Sequence, residues 1–156
     1  MRGRLRGFTL IELVVTISII AILAAVALPR YITLQQQARI AKTQAIYGGI
    51  RSAAVLAHAM ALATNTVTSG PAIVAMEGVN VSLIHGYPTA DLGGIQTAVQ
   101  LTALSDAVAF SGGGTNPGDT LVIDISGGTA GQCTVTYAAP TNPNFSPGIG
   151  VNTSTC

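Results

Sequence analysis

Residues 8–28 form the longest apolar segment of the chain, and Glu12 is its one charged residue. At about 1.5 Å per residue, a helix of this length crosses the hydrocarbon core of a bilayer, which is about 30 Å thick. Pro29 follows at once. Because proline removes a backbone donor and crowds the preceding turn, we predict a kink or local unwinding between Ser18 and Pro29.

Beyond Pro29 the pattern is typical of an amphipathic helix. A polar stretch over residues 31–45 is followed by apolar side chains that recur every three or four residues, while Arg51, Ser52 and His58 lie off their face. We predict one helix over residues 8–63, whose halves are 8–28 and 29–63. The shared apolar face consists of Ile46, Ile50, Ala53, Ala54, Ala57 and Ala61.

The rest of the chain, residues 64–156, shows the two-residue alternation typical of strands. The pair Glu77-Gly78 suits a tight hairpin, and residues 91–104 suit a short helix. Ser111 and the three glycines after it, 112–114, are interpreted as a flexible connection. The predicted fold class is therefore α+β: a long N-terminal helix packed on a C-terminal antiparallel β-sheet head. The predicted strands are residues 72–76, 79–85, 121–125 and 134–137.

Charge is scarce and unevenly placed. Charged residues are 8% of the chain and hydrophobic residues 49%, a balance that favours burial in a membrane or an assembly. Three of the seven basic residues are Arg2, Arg4 and Arg6, which leaves four basic and six acidic residues, a net charge of −2, in the remainder. That remainder has no charge signature of nucleic-acid binding, and the basic start is expected to stay in the cytoplasm.

Two ordinary interpretations of the apolar segment remain open at this point. A secretory signal peptide could be cut after the A-x-A sequence of residues 25–27, but its apolar core is usually shorter and free of charge. A plain membrane anchor would explain the length and leave Glu12 unexplained. A charged residue at the middle of a membrane helix costs roughly 2.5 to 3.5 kcal/mol, so Glu12 requires a partner.

The consecutive residues Gly7-Phe8-Thr9-Leu10-Ile11-Glu12-Leu13 resemble the processing and assembly motif of type IV pilins and their pseudopilin relatives. The resemblance implies that residues 1–7 are a leader. An inner-membrane prepilin peptidase would cut between Gly7 and Phe8 and methylate the new amino group of Phe8. The precursor would be a single-pass inner-membrane protein with a periplasmic head, and the assembled form a pilus on the cell surface.

The resemblance also supplies the missing partner for Glu12. In a homo-oligomeric helical filament built by the pilus assembly machinery, Glu12 would meet the charged amino terminus of Phe8 on a neighbouring subunit. In a low dielectric either charge alone is penalised, so the pair would select one register for the stem helices. The stretch before Pro29 can lose helical structure in filaments of this family.

Cys133 and Cys156 are the only two cysteines. A head outside the cytoplasm lies in an oxidising compartment, so a disulfide is predicted, worth roughly 3 kcal/mol for a loop of this length. The resemblance agrees, since many type IV pilins carry an exposed C-terminal loop bounded by a disulfide. A redox or metal role is the alternative, although no C-x-x-C motif or neighbouring histidine supports it.

No catalytic, cofactor or metal site is predicted. His58 and His85 are interpreted as ordinary surface or packing residues, and the spacing of Asp106, Asp119 and Asp124 matches no calcium-binding loop. The protein is therefore expected not to be an enzyme.

The predicted function is that of a filament-forming pilin used for surface attachment, whose receptor is not identified. The alternatives are a pseudopilin of a type II secretion system and a membrane-anchored enzyme or carbohydrate-binding module. Residues 77–81 and 85–90 are similar to the head of major pilins of the mannose-sensitive haemagglutinin type.

Overall fold

The computed structural model describes residues 7–66, 69–125, 131–154 and 156, so most of the predicted leader lies outside the described residues. The chain divides into two compact units, Met1–Gln37 and Ala38–Cys156. One helix, α1, covers Leu10–Ala63. Its start lies two residues after the predicted one, and its end is the predicted residue.

Helix α1 continues through Pro29 without a break. The predicted local unwinding is therefore wrong for this structure. Proline removes its own N–H from the hydrogen-bond ladder and crowds the carbonyl four residues earlier, but the residues on both sides of Pro29 stay helical. The Pro29 carbonyl accepts a hydrogen bond from the Thr33 hydroxyl at 3.1 Å.

In the unit Ala38–Cys156, all six positions of the predicted apolar face of α1 are buried, together with Thr43. Four of the six are alanines, whose small side chains let the strands approach the helix closely. The helix ends in a polar turn, where the Thr66 N–H donates to the Ala61 carbonyl at 2.8 Å and Asn65 adopts a positive φ of 50°. This face organises the core described below.

The strands form two antiparallel sheets rather than one. The first has the order β1-β2-β3, with β1 at Pro71–Met76, β2 at Val79–Ile84 and β3 at Tyr87–Pro88. Met76 pairs with Val79 across Glu77-Gly78, which confirms the predicted hairpin. The second sheet has the order β4-β5-β6-β7. Its strands are Val108–Gly112, Thr120–Ile125, Thr134–Ala138 and Gly148–Asn152.

Two connections differ from the prediction. The helix predicted over residues 91–104 is reduced to a wide helical turn at Leu92–Gln96 and a short α2 at Thr97–Val99. Gln100 ends it in the left-handed conformation, with φ 57°. The predicted flexible connection at 111–114 is also wrong, because Ser111 and Gly112 belong to β4 and Gly114 bridges to Ala90.

The core of this unit lies between α1 and the sheets. One cluster packs Ile46 and Ile50 against Ile123 and Val135 of the second sheet, and a second packs Ala57 and Ala61 against the first sheet. Tyr137 of β6 is fully buried, and its hydroxyl donates to the Pro88 carbonyl of β3 at 2.7 Å. Burial, with a smaller contribution from Tyr87, raises the pKa of Tyr137 far above its usual value. This contact links the two sheets.

Candidate functional site

The predicted processing position lies in an exposed, non-helical segment in front of α1. Gly7, Phe8 and Thr9 precede the first helical residue, and the Phe8 side chain is 73% exposed. A methyl group added at Gly7 would meet no atom within 4 Å. The Gly7–Phe8 peptide bond is thus in a segment that a peptidase could bind as an extended strand, without first unwinding a helix.

Thr9 and Glu12 together cap the start of α1. The Glu12 N–H donates to the Thr9 hydroxyl oxygen at 3.3 Å, and that hydroxyl donates to Oε2 of Glu12 at 3.4 Å. This is a variant of the capping box, in which Thr is the residue before the helix and Glu its third residue. Sequence reasoning missed it, although T-x-x-E before an apolar run is its usual signal.

The cap does not saturate the Glu12 carboxylate. Both hydrogen bonds are longer than the usual range and therefore weak, and Glu12 is exposed. Among the described residues, Oε1 of Glu12 has no hydrogen-bond partner. At least one carboxylate oxygen is therefore available to a donor from outside the subunit.

The helix around this carboxylate exposes apolar side chains on all sides. An 18-residue window of α1 has a mean hydropathy of 2.7, and none of that window is buried, so α1 is long and apolar enough to cross a membrane. Exposure over the whole circumference requires a lipid or protein environment. The large side chains concerned include Leu10, Ile11, Leu13, Ile17, Ile20, Ile22, Leu23, Val26 and Leu28.

The hydroxyl groups within this segment are paired inside the helix. Thr16 donates to the Leu13 carbonyl at 2.8 Å, and Ser18 donates to the Val14 carbonyl at 2.7 Å. Such bonds remove the cost of placing a hydroxyl in an apolar medium. Glu12 is then the one polar side chain of residues 10–28 that still needs an external partner.

In the unit Ala38–Cys156, the predicted disulfide joins Cys133 and Cys156, whose Cα atoms are 4.9 Å apart. Both half-cystines are buried in the core cluster, so the bond itself lies in the interior. The chain between them was predicted to have little pattern of its own. It nevertheless forms β7, which pairs with β6 over five residues, whereas residues 141–146 are exposed.

Helix α1 contacts the disulfide through two polar side chains. The Thr43 hydroxyl group donates a hydrogen bond to the Arg39 carbonyl at 2.8 Å, and its oxygen lies 3.2 Å from the Cys133 sulfur. Arg39 donates through Nε to the Cys156 carbonyl. These hydrogen bonds connect Cys133 and Cys156 to the helix. Sequence reasoning missed them because a single Thr and a single Arg form no local sequence motif.

The two histidines differ in their surroundings. His58 is partly buried, stacks on Tyr87 with ring centroids 4.2 Å apart, and has Nδ1 2.9 Å from the Gly86 carbonyl. His85 is buried and follows β2 with a positive φ of 54°. Within the described residues, no group of three or more His, Cys, Asp or Glu side chains could hold a metal ion.

Comparisons with known proteins address the N-terminal segment. The family described as "Prokaryotic N-terminal methylation motif" matches residues 2–28. The chain is also 47% identical over 58 residues to the "Type IV narrow pilus major component PilA5" of Thermus thermophilus, an alignment that covers 37% of this chain and 50% of that protein. The chain thus spans about half the length of the relative it matches. No solved structure matches.

The matched motif and the fold define the class first: residues 2–28 are similar to the prokaryotic N-terminal methylation motif, and the described residues form an α+β, pilin-like fold. Within that class, the comparisons confirm the resemblance to type IV pilins. They do not confirm the finer similarity to pilins of the mannose-sensitive haemagglutinin type, which stays a prediction.

Proposed function

We propose that this protein is a structural, non-enzymatic subunit of a type IV pilus, polymerised through the N-terminal half of α1. The observation that carries the proposal is the fully exposed apolar segment at the start of α1, which begins two residues after the exposed Phe8. A stem of this kind has to be surrounded by lipid before assembly and by other stems afterwards. The relative's name, which describes a major pilus component, supports the same assignment.

In the proposed pathway, the precursor is anchored in the inner membrane with its head on the periplasmic side. A prepilin peptidase removes residues 1–7 and methylates Phe8, and the assembly machinery then inserts the subunit into the filament. Glu12 guides insertion because its carboxylate can accept a hydrogen bond from the amino group of Phe8 on a neighbour. We further propose surface attachment as the use of the filament, with the exposed residues 141–146 as part of its outer surface.

The proposal is tested by the intact mass of protein sheared from cells that make the filament. The expected mass corresponds to a chain that starts at Phe8, carries one added methyl group, and lacks two hydrogens for the Cys133–Cys156 bond. A chain that starts at Leu28 would show conventional secretion and contradict the proposal. Correctly processed protein that remains in the membrane fraction, with none in sheared filaments, would favour a pseudopilin instead.

A further inference from the structure

Most charged side chains of the unit Ala38–Cys156 are tied to its own backbone. Arg39 donates to the Cys156 carbonyl, and Lys42 donates to the carbonyls of Asp106 and Ala107. Four aspartates each accept a backbone N–H within a nearby loop at 2.8 to 3.0 Å. The four pairs are Asp91 with Gly94, Asp106 with Thr102, Asp119 with Asn116 and Asp124 with Gly131.

Arg51 is the one Lys or Arg side chain of the described part of this unit that does not bond to its backbone. Its side chain is exposed, and among the described residues it has no hydrogen bond or ion pair. It lines a surface pocket of about 350 Å³ with the side chains of Tyr47, Tyr87, Pro147 and Ile149. The pocket therefore offers an unpaired guanidinium beside apolar and aromatic walls, a setting that suits a carboxylate.

Glu77 is the corresponding anion. It lies at the tip of the β1–β2 hairpin, where Glu77 and Gly78 both have positive φ, 49° and 83°. Among the described residues, its side chain accepts one hydrogen bond, of 2.9 Å, from Nε2 of the exposed Gln100. The hairpin tip thus presents an exposed carboxylate that no cation of the same unit neutralises within the described residues.

Arg51 and Glu77 line two different surface pockets. The pocket that contains Arg51, Tyr47 and Tyr87 includes no residue of the β1–β2 hairpin, and the pocket that contains Glu77 does not include Arg51. Within the described residues no ion pair joins the two side chains. Each charge can therefore meet its opposite on another copy of the chain.

We propose that, in the filament, the pocket around Arg51 of one subunit receives the Glu77 hairpin tip of a neighbouring subunit. This inference rests on the proposed function, because it names a contact between heads of the same filament. The contact is heterologous, since two different surfaces of the chain meet, and such contacts extend into open helical assemblies. In the described part of the unit Ala38–Cys156, Arg51 has no hydrogen-bond partner and Glu77 accepts only from Gln100, so the two exposed charges are complementary.

The experiment is a charge exchange in cells that make the filament, with sheared filament yield as the readout. Arg51→Glu and Glu77→Arg are each expected to lower the yield about fivefold, since attraction is replaced by repulsion. The double variant has the net charge of the wild type and is expected to return to within about twofold of it. The loss in the single variants should shrink at high salt.

A second pair of variants tests proximity without relying on charge. The variant with both Arg51→Cys and Glu77→Cys is expected to form a ladder of covalent multimers after mild oxidation, whereas each single cysteine variant should form none. Formation of the Cys133–Cys156 disulfide is measured from the mobility of the chain on non-reducing gels, and it reports whether each head has folded. Both substituted positions are exposed, so folded heads are expected.

Several outcomes would overturn the inference alone. The inference would be overturned if Arg51→Glu and Glu77→Arg each gave the wild-type yield of filaments, or if the double variant gave no higher yield than the single variants. It would also be overturned if the double cysteine variant formed no covalent multimers. Loss of surface attachment with unchanged filament yield in Arg51→Glu would assign the pocket to an external acidic ligand instead. Absence of filaments from the wild type itself would overturn the proposed function and this contact together.

Discussion

The substitution Glu12→Gln is expected to lower the yield of sheared filaments at least about tenfold while leaving cleavage after Gly7 unchanged. Removing one member of a buried ion pair leaves the other uncompensated, at a cost of about 3–5 kcal/mol. Glutamine can still accept the Thr9 hydroxyl, so the helix cap is kept and only the charge is lost. The measurement compares processed protein in the membrane with protein in sheared filaments.

The matched control is Thr9→Val, which removes the capping hydroxyl and keeps the carboxylate. The cap is worth about 1 kcal/mol at an exposed helix start, so this variant is expected to assemble within about threefold of the wild type. If Thr9→Val lost filaments as strongly as Glu12→Gln, the role of Glu12 would be local capping, and the pairing between subunits would be contradicted.

Removing the disulfide is expected to have the largest effect on the stability of the head. The double substitution Cys133→Ala and Cys156→Ala should lower the free energy of unfolding by about 3 kcal/mol, because the bond closes a loop with a sequence separation of 23 residues. The corresponding fall in melting temperature is roughly 10 °C, measurable on the full chain in detergent by circular dichroism.

A control for this prediction is Arg39→Gln, which weakens the hydrogen bond from this side chain to the Cys156 carbonyl and leaves the disulfide intact. The expected destabilisation is about 1–2 kcal/mol, smaller than that of the cysteine pair. A melting temperature of the double alanine variant within about 2 °C of the wild type would show that β7 and the helix contacts hold this part of the chain without the covalent bond.

The helix could be predicted from the sequence because its evidence is local. The apolar segment and the three- and four-residue recurrence from Ile46 to Ala61 are both properties of consecutive turns, and the end at Ala63 coincides with a polar stretch. Of the two effects predicted for Pro29, local unwinding is wrong for this structure, because one missing N–H weakens the hydrogen-bond ladder at only one turn; the kink stays a prediction.

Some strands were predicted from the sequence and others were not. The β1–β2 hairpin and strands β5 and β6 were predictable, because each has a turn signal or a clear alternation. Strands β3, β4 and β7 were missed. Strand β3 has only two residues. Strands β4 and β7 contain Gly112, Gly148 and Gly150, which have little intrinsic strand preference, and they are held by pairing with β5 and β6.

The candidate site was only partly predictable. The motif from Gly7 to Leu13 pointed to Phe8 and Glu12 without any structure, whereas the Thr9–Glu12 cap was overlooked because Glu12 was interpreted solely as a partner for another subunit. The contacts of Thr43 and Arg39 with the disulfide join residues about 90 to 117 positions apart, which local patterns cannot show. Arg51 and Glu77 could not be singled out from the sequence either, because they stand out only once the hydrogen-bond partners of the other charged side chains of the unit are known.

The most direct measurement is the structure of the native filament by electron cryomicroscopy, at a resolution that shows the Glu12 carboxylate. We predict that a carboxylate oxygen of Glu12 lies within hydrogen-bonding distance of the amino nitrogen of Phe8 on a neighbouring subunit, in the apolar interior. A filament in which Glu12 faces solvent, or contacts only Thr9 of its own subunit, would contradict it.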